Sequence, residues 1–290
     1  VFYDNEGKLW MIYGSYSGGI FVKEMDAETG MPLESGYGEK LLGGNHLRIE
    51  APYVIYNEET GYYYMFLSFG GLDSDGGYNI RVCRSENPSG PYVDSMGQDM
   101  KDCKGPAGSA FSDATAELYG TKLMGGYKFT WKEGEEGEDR KGYLSPGHNS
   151  CLYQEETGKY FIIYHTRFEN SGETHEVRVH QMFFNEEGWP VIVPYRYTEE
   201  SAEKLESKQL VGTYKYINHG RDISPDMKES EELILNKNNT LSGALEGTWE
   251  LSGDYNITLK TDEAEYKGIA LKQWDEDGKK YVMTFTALDS

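Results

Sequence analysis

The sequence of 290 residues predicts an all-β protein in which part of a β-propeller is followed by a small antiparallel β-barrel. Two observations support the propeller. A strand, an acidic turn with glycine and a second strand recur three times in residues 1–200, and each copy is followed by a third apolar strand. One observation supports the barrel, namely short alternating strands at close spacing after residue 207. Strand, turn, strand, strand is the pattern of a propeller blade.

The three copies are degenerate in sequence but equivalent in pattern. A blade cannot bury both of its faces alone, so neighbouring blades must stack around an axis. Three units are fewer than the four of the smallest propellers, and Val1 lies inside a strand pattern. We therefore expect further blades before Val1. The paired strands lie within Val1–Ser15, Tyr53–Phe69 and Cys151–Thr166, and the third strands are Gly19–Met25, Tyr78–Arg84 and Glu176–Phe184.

A polar linker, Ser201–Ser207, separates the repeats from the C-terminal strands. Six alternating stretches between Leu210 and Phe285 predict an antiparallel barrel of about 80 residues. The expected division is 1–200 for the propeller part and 208–290 for the barrel. The barrel carries no catalytic constellation, and the charged run 132–140 is expected to be a solvated loop.

Composition and charge restrict the function. The formal net charge is −21 and the pI about 4.7, which disfavours nucleic acid and anionic membranes as partners and suits neutral sugars. Three cysteines provide neither a disulfide framework nor metal-binding spacing, and buried free thiols are expected. No segment reaches the roughly 18 apolar residues of a membrane span.

The stretch 46–54 contains the first candidate for catalysis. Glu50 lies beside Arg48 at the start of an apolar, aromatic strand. A carboxyl group partly removed from water and kept protonated at neutral pH can act as a general acid. The alternative is a Glu50–Arg48 ion pair at a strand start.

Six motifs together resemble glycoside hydrolase family 43, in particular its secreted endo-α-1,5-L-arabinanases with a C-terminal barrel. The resemblance covers nearly all of residues 1–200, and the tail fits the accessory domain of the family. Each motif alone is weak, and their order along the chain gives the resemblance its specificity. The motifs are Gly14-Ser15-Tyr16-Ser17-Gly18-Gly19-Ile20, Arg48-Ile49-Glu50-Ala51-Pro52-Tyr53, Gly77-Tyr78-Asn79-Ile80-Arg81-Val82, Ser145-Pro146-Gly147-His148-Asn149-Ser150, Tyr164-His165-Thr166-Arg167 and Glu187-Gly188-Trp189-Pro190-Val191.

The resemblance implies a five-bladed propeller whose site lies at one end of the central channel, and hydrolysis with inversion. Glu50 matches the general acid. The base of the family is an Asp of the first blade, and a third carboxylate, in an Ile-Asp-Pro motif, positions the acid. Neither has a counterpart between Val1 and Ser290, so the isolated chain is expected to be inactive.

The resemblance also implies subsite and metal residues. Ser15 and Tyr78, with the adjacent Asn79, match sugar-binding positions, and His148 matches a histidine that faces a largely water-held metal ion, usually calcium. Residue patterns alone leave other roles open. Ser15 could bond backbone at a strand end, Tyr78 could be an ordinary sheet aromatic, and His148 could be structural. His165 is expected to pack or bond locally.

Three functions remain open on the sequence. The first is endo-acting cleavage of arabinan, with arabinan or arabino-oligosaccharide as the partner in an extracellular or periplasmic setting. The second is an exo-acting arabinofuranosidase or β-xylosidase of the same family. The third is a sugar-binding propeller without turnover. Product size separates the first two, and release of reducing ends separates both from the third.

Overall fold

A computed structural model describes residues 1–135, 137 and 141–289 and confirms the all-β prediction. Positions 136 and 138–140 of the predicted charged loop lie outside the described residues. Short helices interrupt the described strands only briefly. They are a 3₁₀ helix at Met100–Asp102 and the α-helices α1 (Asp113–Ala116) and α2 (Ser207–Leu210).

The first two sheets are four-stranded antiparallel meanders with strands in sequence order. In each, the predicted hairpin and third strand are present, and a fourth strand that the sequence pattern did not indicate completes the sheet. The first sheet contains β1 (Phe2–Tyr3), β2 (Leu9–Ser15), β3 (Gly19–Met25) and β4 (Glu39–Leu42); the second contains β5 (Ile49–Asn57), β6 (Tyr62–Phe69), β7 (Asn79–Ser85) and β8 (Thr121–Met124).

The third sheet has the order β13-β12-β11-β10-β9-β15. Its four antiparallel strands β10–β13 correspond to the third predicted repeat. The other two strands are two-residue additions, and β15 pairs in parallel with β9. The bounds are β9 (Tyr127–Lys128), β10 (Tyr143–Gln154), β11 (Lys159–Phe168), β12 (His175–Phe184), β13 (Pro190–Ile192) and β15 (Lys228–Glu229).

The C-terminal strands form one seven-stranded antiparallel, nearly closed sheet with β14 and β21 at its edges. All six predicted stretches are strands, and β17 is an additional one. Alternate side chains such as Trp249 and Leu259 fill its interior. The strands are β14 (Gly212–Tyr216), β16 (Glu231–Leu235), β17 (Thr240–Gly243), β18 (Gly247–Ser252), β19 (Asn256–Lys260), β20 (Glu265–Asp275) and β21 (Lys280–Asp289).

The second sheet is buried between its neighbours, because β6 is covered on both faces. Leu67 and Phe69 belong to the core shared with the first sheet, whereas Phe66 and Val82 belong to the core shared with the third. Stacking of this kind buries the two faces that a lone four-stranded sheet would expose. The three cysteines are buried free thiols, as predicted. Among the described residues, no helix is long and apolar enough to cross a membrane.

The connection from β14 to β16 leaves the seven-stranded sheet. We call residues 217–230 the crossing segment. It passes along the second sheet and contributes β15 to the third sheet before the chain returns to β16. The C-terminal unit is thus joined to the preceding sheets by more than its linker.

Candidate active site around Glu50

A β-bulge directly after Glu50 interrupts the pairing of β5 with β6. Glu50 lies opposite Ser68, but the next pair is Tyr53 with Phe66, so two residues of β5 face one of β6. Ala51 takes a φ of 52°, which is unusual for a residue with a Cβ, and the following Pro52 has no N–H to donate. Bulges bend a strand and redirect its side chains, and they are common beside active sites. The Glu-Ala-Pro motif therefore sets the direction of the Glu50 side chain.

The Glu50 carboxyl group accepts two hydrogen bonds from hydroxyl groups. Tyr78 Oη donates to Oε1 at 2.7 Å, and Ser15 Oγ donates to Oε2 at 3.1 Å. Ser15 ends β2 of the first sheet, and Tyr78 immediately precedes β7 of the second. Three residues predicted from separate motifs thus meet at one point.

The predicted alternative for Glu50, an ion pair with Arg48, is wrong. The Arg48 guanidinium is bound by the carboxylate of Asp113 in α1, with Nε at 3.1 Å from Oδ1 and a second contact from Nη2 to Oδ2. Glu50 is therefore available for other chemistry. Its side chain is partly exposed, so a substrate group can reach it.

Tyr78 is a rigid, protonated donor. Its side chain is buried, and its ring lies over Gly147, where a Cβ would come 2.2 Å from ring carbon Cδ1. Burial, and then the neighbouring Glu50 carboxylate, raise the pKa of Tyr78 far above its usual range. The hydroxyl group consequently keeps its proton and can donate to Glu50 at any ordinary pH.

His148 lies on a second bulged strand, β10, which has register shifts on both sides of Gly147. His148 has a φ of 48°, and its backbone N–H donates to Ser68 Oγ at 2.8 Å. Its side chain is exposed. Non-glycine residues with positive φ persist where the surrounding structure over-determines them, which is frequent at functional sites.

The sequence suggested that His165 packs or bonds locally. In the structure, its ring lies between those of His148 and Tyr78 and connects them. Its ring is stacked at 6.1 Å from Tyr78 and 6.2 Å from His148, and the His175 ring lies 5.0 Å away, all between centroids. Burial, with contributions from Arg167 and the other two histidines, lowers the pKa of His165 to about 4. The rings of Tyr78, His165 and His148 thus form a row, and at neutral pH His165, at its centre, is uncharged.

The structure does not bring Asn79 into this group, and we correct the prediction that it binds substrate. The side chain is 1% exposed. Its amide nitrogen donates to the carbonyls of Phe69 and Gly77, and its oxygen accepts from Arg81. Successive residues of an extended chain point to opposite sides, so Tyr78 and Asn79 cannot both face Glu50.

The described residues do not form a metal cage around His148. Within residues 1–135, 137 and 141–289, no three His, Cys, Asp or Glu side chains are grouped to hold an ion. Calcium prefers six to eight oxygen ligands, so one exposed imidazole does not fit a calcium site made of protein groups. Calcium therefore stays a prediction.

Sequence reasoning missed Ser68 and Gly147. Ser68 lies directly opposite Glu50 only because of the bulge after Glu50; regular pairing counted from the turn at Gly61 would have placed Phe69 there, so the sequence carried no signal for Ser68. Gly147 had no sequence signal either, because its role depends on the Tyr78 ring of another sheet.

The arrangement combines a reachable carboxyl group, two hydroxyl donors and a row of rings that runs from the buried Tyr78 through His165 to the exposed His148, where strand ends of three sheets meet. It suits proton transfer to a neutral, polar ligand, and with the stacked sheets and acidic surface it fits the class of propeller-type glycoside hydrolases.

Comparison with known proteins identifies the family. The family model described as "Glycosyl hydrolases family 43" matches residues 1–121, and that of the family's "C-terminal lipocalin-like domain" matches residues 194–290. The chain is 53% identical over its whole length to the extracellular endo-alpha-(1->5)-L-arabinanase 2 of Bacillus subtilis. The chain belongs to glycoside hydrolase family 43.

Solved structures agree. A family 43 glycoside hydrolase from Bacillus licheniformis superposes with a TM-score of 0.95 at 53% identity, covering 99% of this chain and 64% of that one. The endo-1,5-alpha-L-arabinanase of Thermotoga petrophila superposes with a TM-score of 0.93 at 49% identity, covering 100% and 64%. The chain spans 61% of the length of the Bacillus subtilis relative.

Proposed function

We propose that the whole protein to which this chain belongs hydrolyses internal α-1,5-L-arabinofuranosidic links of arabinan outside the cell, with Glu50 as the general acid. The observation that carries the proposal is the Glu50 carboxyl group held by Tyr78 and Ser15. Two relatives at 53% and 49% identity over the whole chain are named extracellular endo-arabinanases. The acidic chain suits a neutral polysaccharide better than a polyanion.

In this mechanism Glu50 gives its proton to the departing sugar oxygen. The carboxyl group becomes negative as the bond breaks, and hydrogen bonds to a charged acceptor are stronger than bonds to a neutral one. Tyr78 and Ser15 therefore stabilise the transition state more than the ground state, which is what accelerates a reaction.

Inversion needs a second carboxylate that activates water from the opposite face of the sugar, roughly 6.5–9.5 Å from the acid. We propose that this base and the carboxylate that positions the acid belong to the part of the protein before Val1. The same proposal places the first three sheets, residues 1–200, in a five-bladed propeller, with residues 208–290 as the accessory barrel. A calcium ion, if bound, would be held by water with His148 as a neighbour.

The test is Glu50→Gln in the whole protein with linear arabinan as substrate. We expect activity to fall by more than about 10²-fold, because a positioned acid contributes roughly 10²–10⁴. An aryl arabinofuranoside with a good leaving group needs little protonation, so its cleavage should fall much less. Glu58→Gln changes an exposed carboxylate just beyond the other end of β5 and is the matched control.

Three outcomes would contradict parts of the proposal. Near-normal cleavage of arabinan by Glu50→Gln would remove Glu50 from the acid role. Monosaccharide as the only early product would show exo action. Binding of arabinan without release of reducing ends by the unmodified whole protein would indicate a sugar-binding protein.

A further inference from the structure

The crossing segment contacts the sheet that carries Glu50 through its backbone. The Lys122 ammonium group donates to the carbonyl oxygens of His219 at 2.8 Å and Asp222 at 2.7 Å. The Ile223 N–H donates to a carboxylate oxygen of Glu117 at 2.7 Å. These bonds fix the path of the segment, because they hold its main chain.

The far end of the crossing segment is held by the third sheet. The N–H groups of Lys228 and Ser230 donate to the carbonyl oxygens of Gly126 and Lys128, each at 3.0 Å. With both ends bonded to sheets, residues 221–224 have little freedom to move away from the loop they cover.

That loop is the β6–β7 connection, residues 70–77, which ends directly before Tyr78. A Cβ on Gly77, whose φ is 70°, would lie 2.9 Å from the Ser224 carbonyl carbon, and one on Gly70 would lie 3.0 Å from Ile223 Cγ2. Main chain thus packs against main chain at the residue before Tyr78. Only glycine permits such an approach in this conformation.

A hydrogen-bond path leads from the crossing segment towards Tyr78. Arg81, 0% exposed, donates to the carbonyl oxygen of Arg221 and, through Nε, to the Asn79 side-chain oxygen at 2.9 Å. Asn79 in turn donates to the Gly77 carbonyl at 2.9 Å. The backbone on both sides of Tyr78 is therefore tied to the C-terminal unit.

We propose that residues 221–224 are a positioning element for Tyr78 and, through its hydroxyl group, for the Glu50 carboxyl group. The inference rests on the proposed function, because its predicted effect on kcat requires Glu50 to be the general acid. It assigns to the C-terminal unit a part in catalysis without contact with the reacting atoms. Catalytic groups must be held within about 0.5 Å of productive geometry by the residues that support them, and this segment packs against Gly77, the residue directly before Tyr78.

The test is Ile223→Ala in the whole protein. The substitution removes the methyl group that lies on Gly70 and loosens the loop from the crossing segment. Ile223→Val keeps Cγ2 and should restore activity. Ile234→Ala in β16 is the matched control, since it truncates a half-buried isoleucine of the same unit.

We expect Ile223→Ala to lower kcat on arabinan by about 10-fold, since small misplacements of reacting groups cost up to about 10²-fold. KM should stay within about twofold, because the substitution does not touch the substrate. Cleavage of an aryl arabinofuranoside with a good leaving group should also change by less than about twofold, because it needs little help from the acid. A general loss of folded protein would reduce both substrates equally.

Equal losses in Ile223→Ala and Ile234→Ala, or equal losses on both substrates, would overturn the inference. A crystal structure of Ile223→Ala gives a readout independent of activity. An unchanged 2.7 Å contact between Tyr78 Oη and Glu50 Oε1 would refute positioning, even if Glu50→Gln loses activity on arabinan as expected for the general acid. A lengthened contact with full activity of Glu50→Gln would refute the proposed function and leave the positioning in place.

Discussion

Replacing Tyr78 by phenylalanine in the whole protein isolates one hydroxyl group. The ring and its contact with Gly147 remain, and the hydroxyl group that donates to Glu50 at 2.7 Å is lost together with its hydrogen bond to Ser68. A hydrogen bond to a charged group is worth about 1.5–3 kcal/mol. The bond to the neutral carboxyl group of the ground state, worth about 0.5–1.5 kcal/mol, is lost as well, so only the difference of about 1–1.5 kcal/mol affects kcat. Since about 1.36 kcal/mol corresponds to a factor of ten in rate, kcat on arabinan should fall about 5- to 13-fold.

The assay is initial-rate release of reducing ends, with the thermal unfolding midpoint recorded in parallel. Tyr92→Phe is the control, because Tyr92 is equally buried and donates to the Pro88 carbonyl at 3.1 Å, away from the Glu50 group. It should lose about 0.5–1.5 kcal/mol of stability and keep its kcat. If Tyr78→Phe cleaves arabinan as fast as Tyr92→Phe, the hydroxyl group does not support the acid.

Four further outcomes are expected. Gly147→Ala should lower kcat on arabinan by more than Tyr78→Phe, because its Cβ would displace the Tyr78 ring; unchanged kinetics would contradict the packing. Ser15→Ala loses the longer of the two bonds to the acid and should reduce kcat by about 3- to 10-fold, less than Tyr78→Phe. Burial lowers the pKa of His219 to about 3 in the folded protein, against about 6.5 in the unfolded chain. At pH values between about 3 and 6.5 the unfolded chain therefore binds a proton at His219 that the folded protein does not bind. The free energy of unfolding should thus decrease as pH falls from about 6.5, and denaturant titrations of His219→Asn should show a shallower decrease; an unaltered slope would exclude His219 as a cause. Chelation should lower activity, and added calcium should restore it in the unmodified protein but less in His148→Ala; indifference to chelator would remove calcium from the proposal.

The sequence was a good guide to the sheets where strands are long and bounded by acidic glycine turns. Those hairpins are local, so pattern and turn chemistry specify them together. The fourth strands were not predicted, because Glu39–Leu42 and Thr121–Met124 are four residues long and lie in irregular sequence. Their strand conformation comes from pairing with β3 and β7.

The site residues were predictable where the resemblance supplied their positions. The prediction failed where the direction of a side chain decided its role. Glu50, Ser15 and Tyr78 meet as the motifs suggested. Asn79 does not, because the alternation of an extended chain turns it inward. The row through His165 depends on register shifts in β10, which no local pattern specifies.

The crossing segment also bears on how such proteins can be recombined. A barrel joined only by a linker could be exchanged for another module at the gene level with little effect on its neighbour. Here a cut near residue 205 would remove β15, deprive Arg81 of an acceptor and uncover Gly77. The two parts are therefore expected to be inherited, truncated and engineered as one unit, and grafts that retain the seven-stranded sheet should also retain residues 217–230.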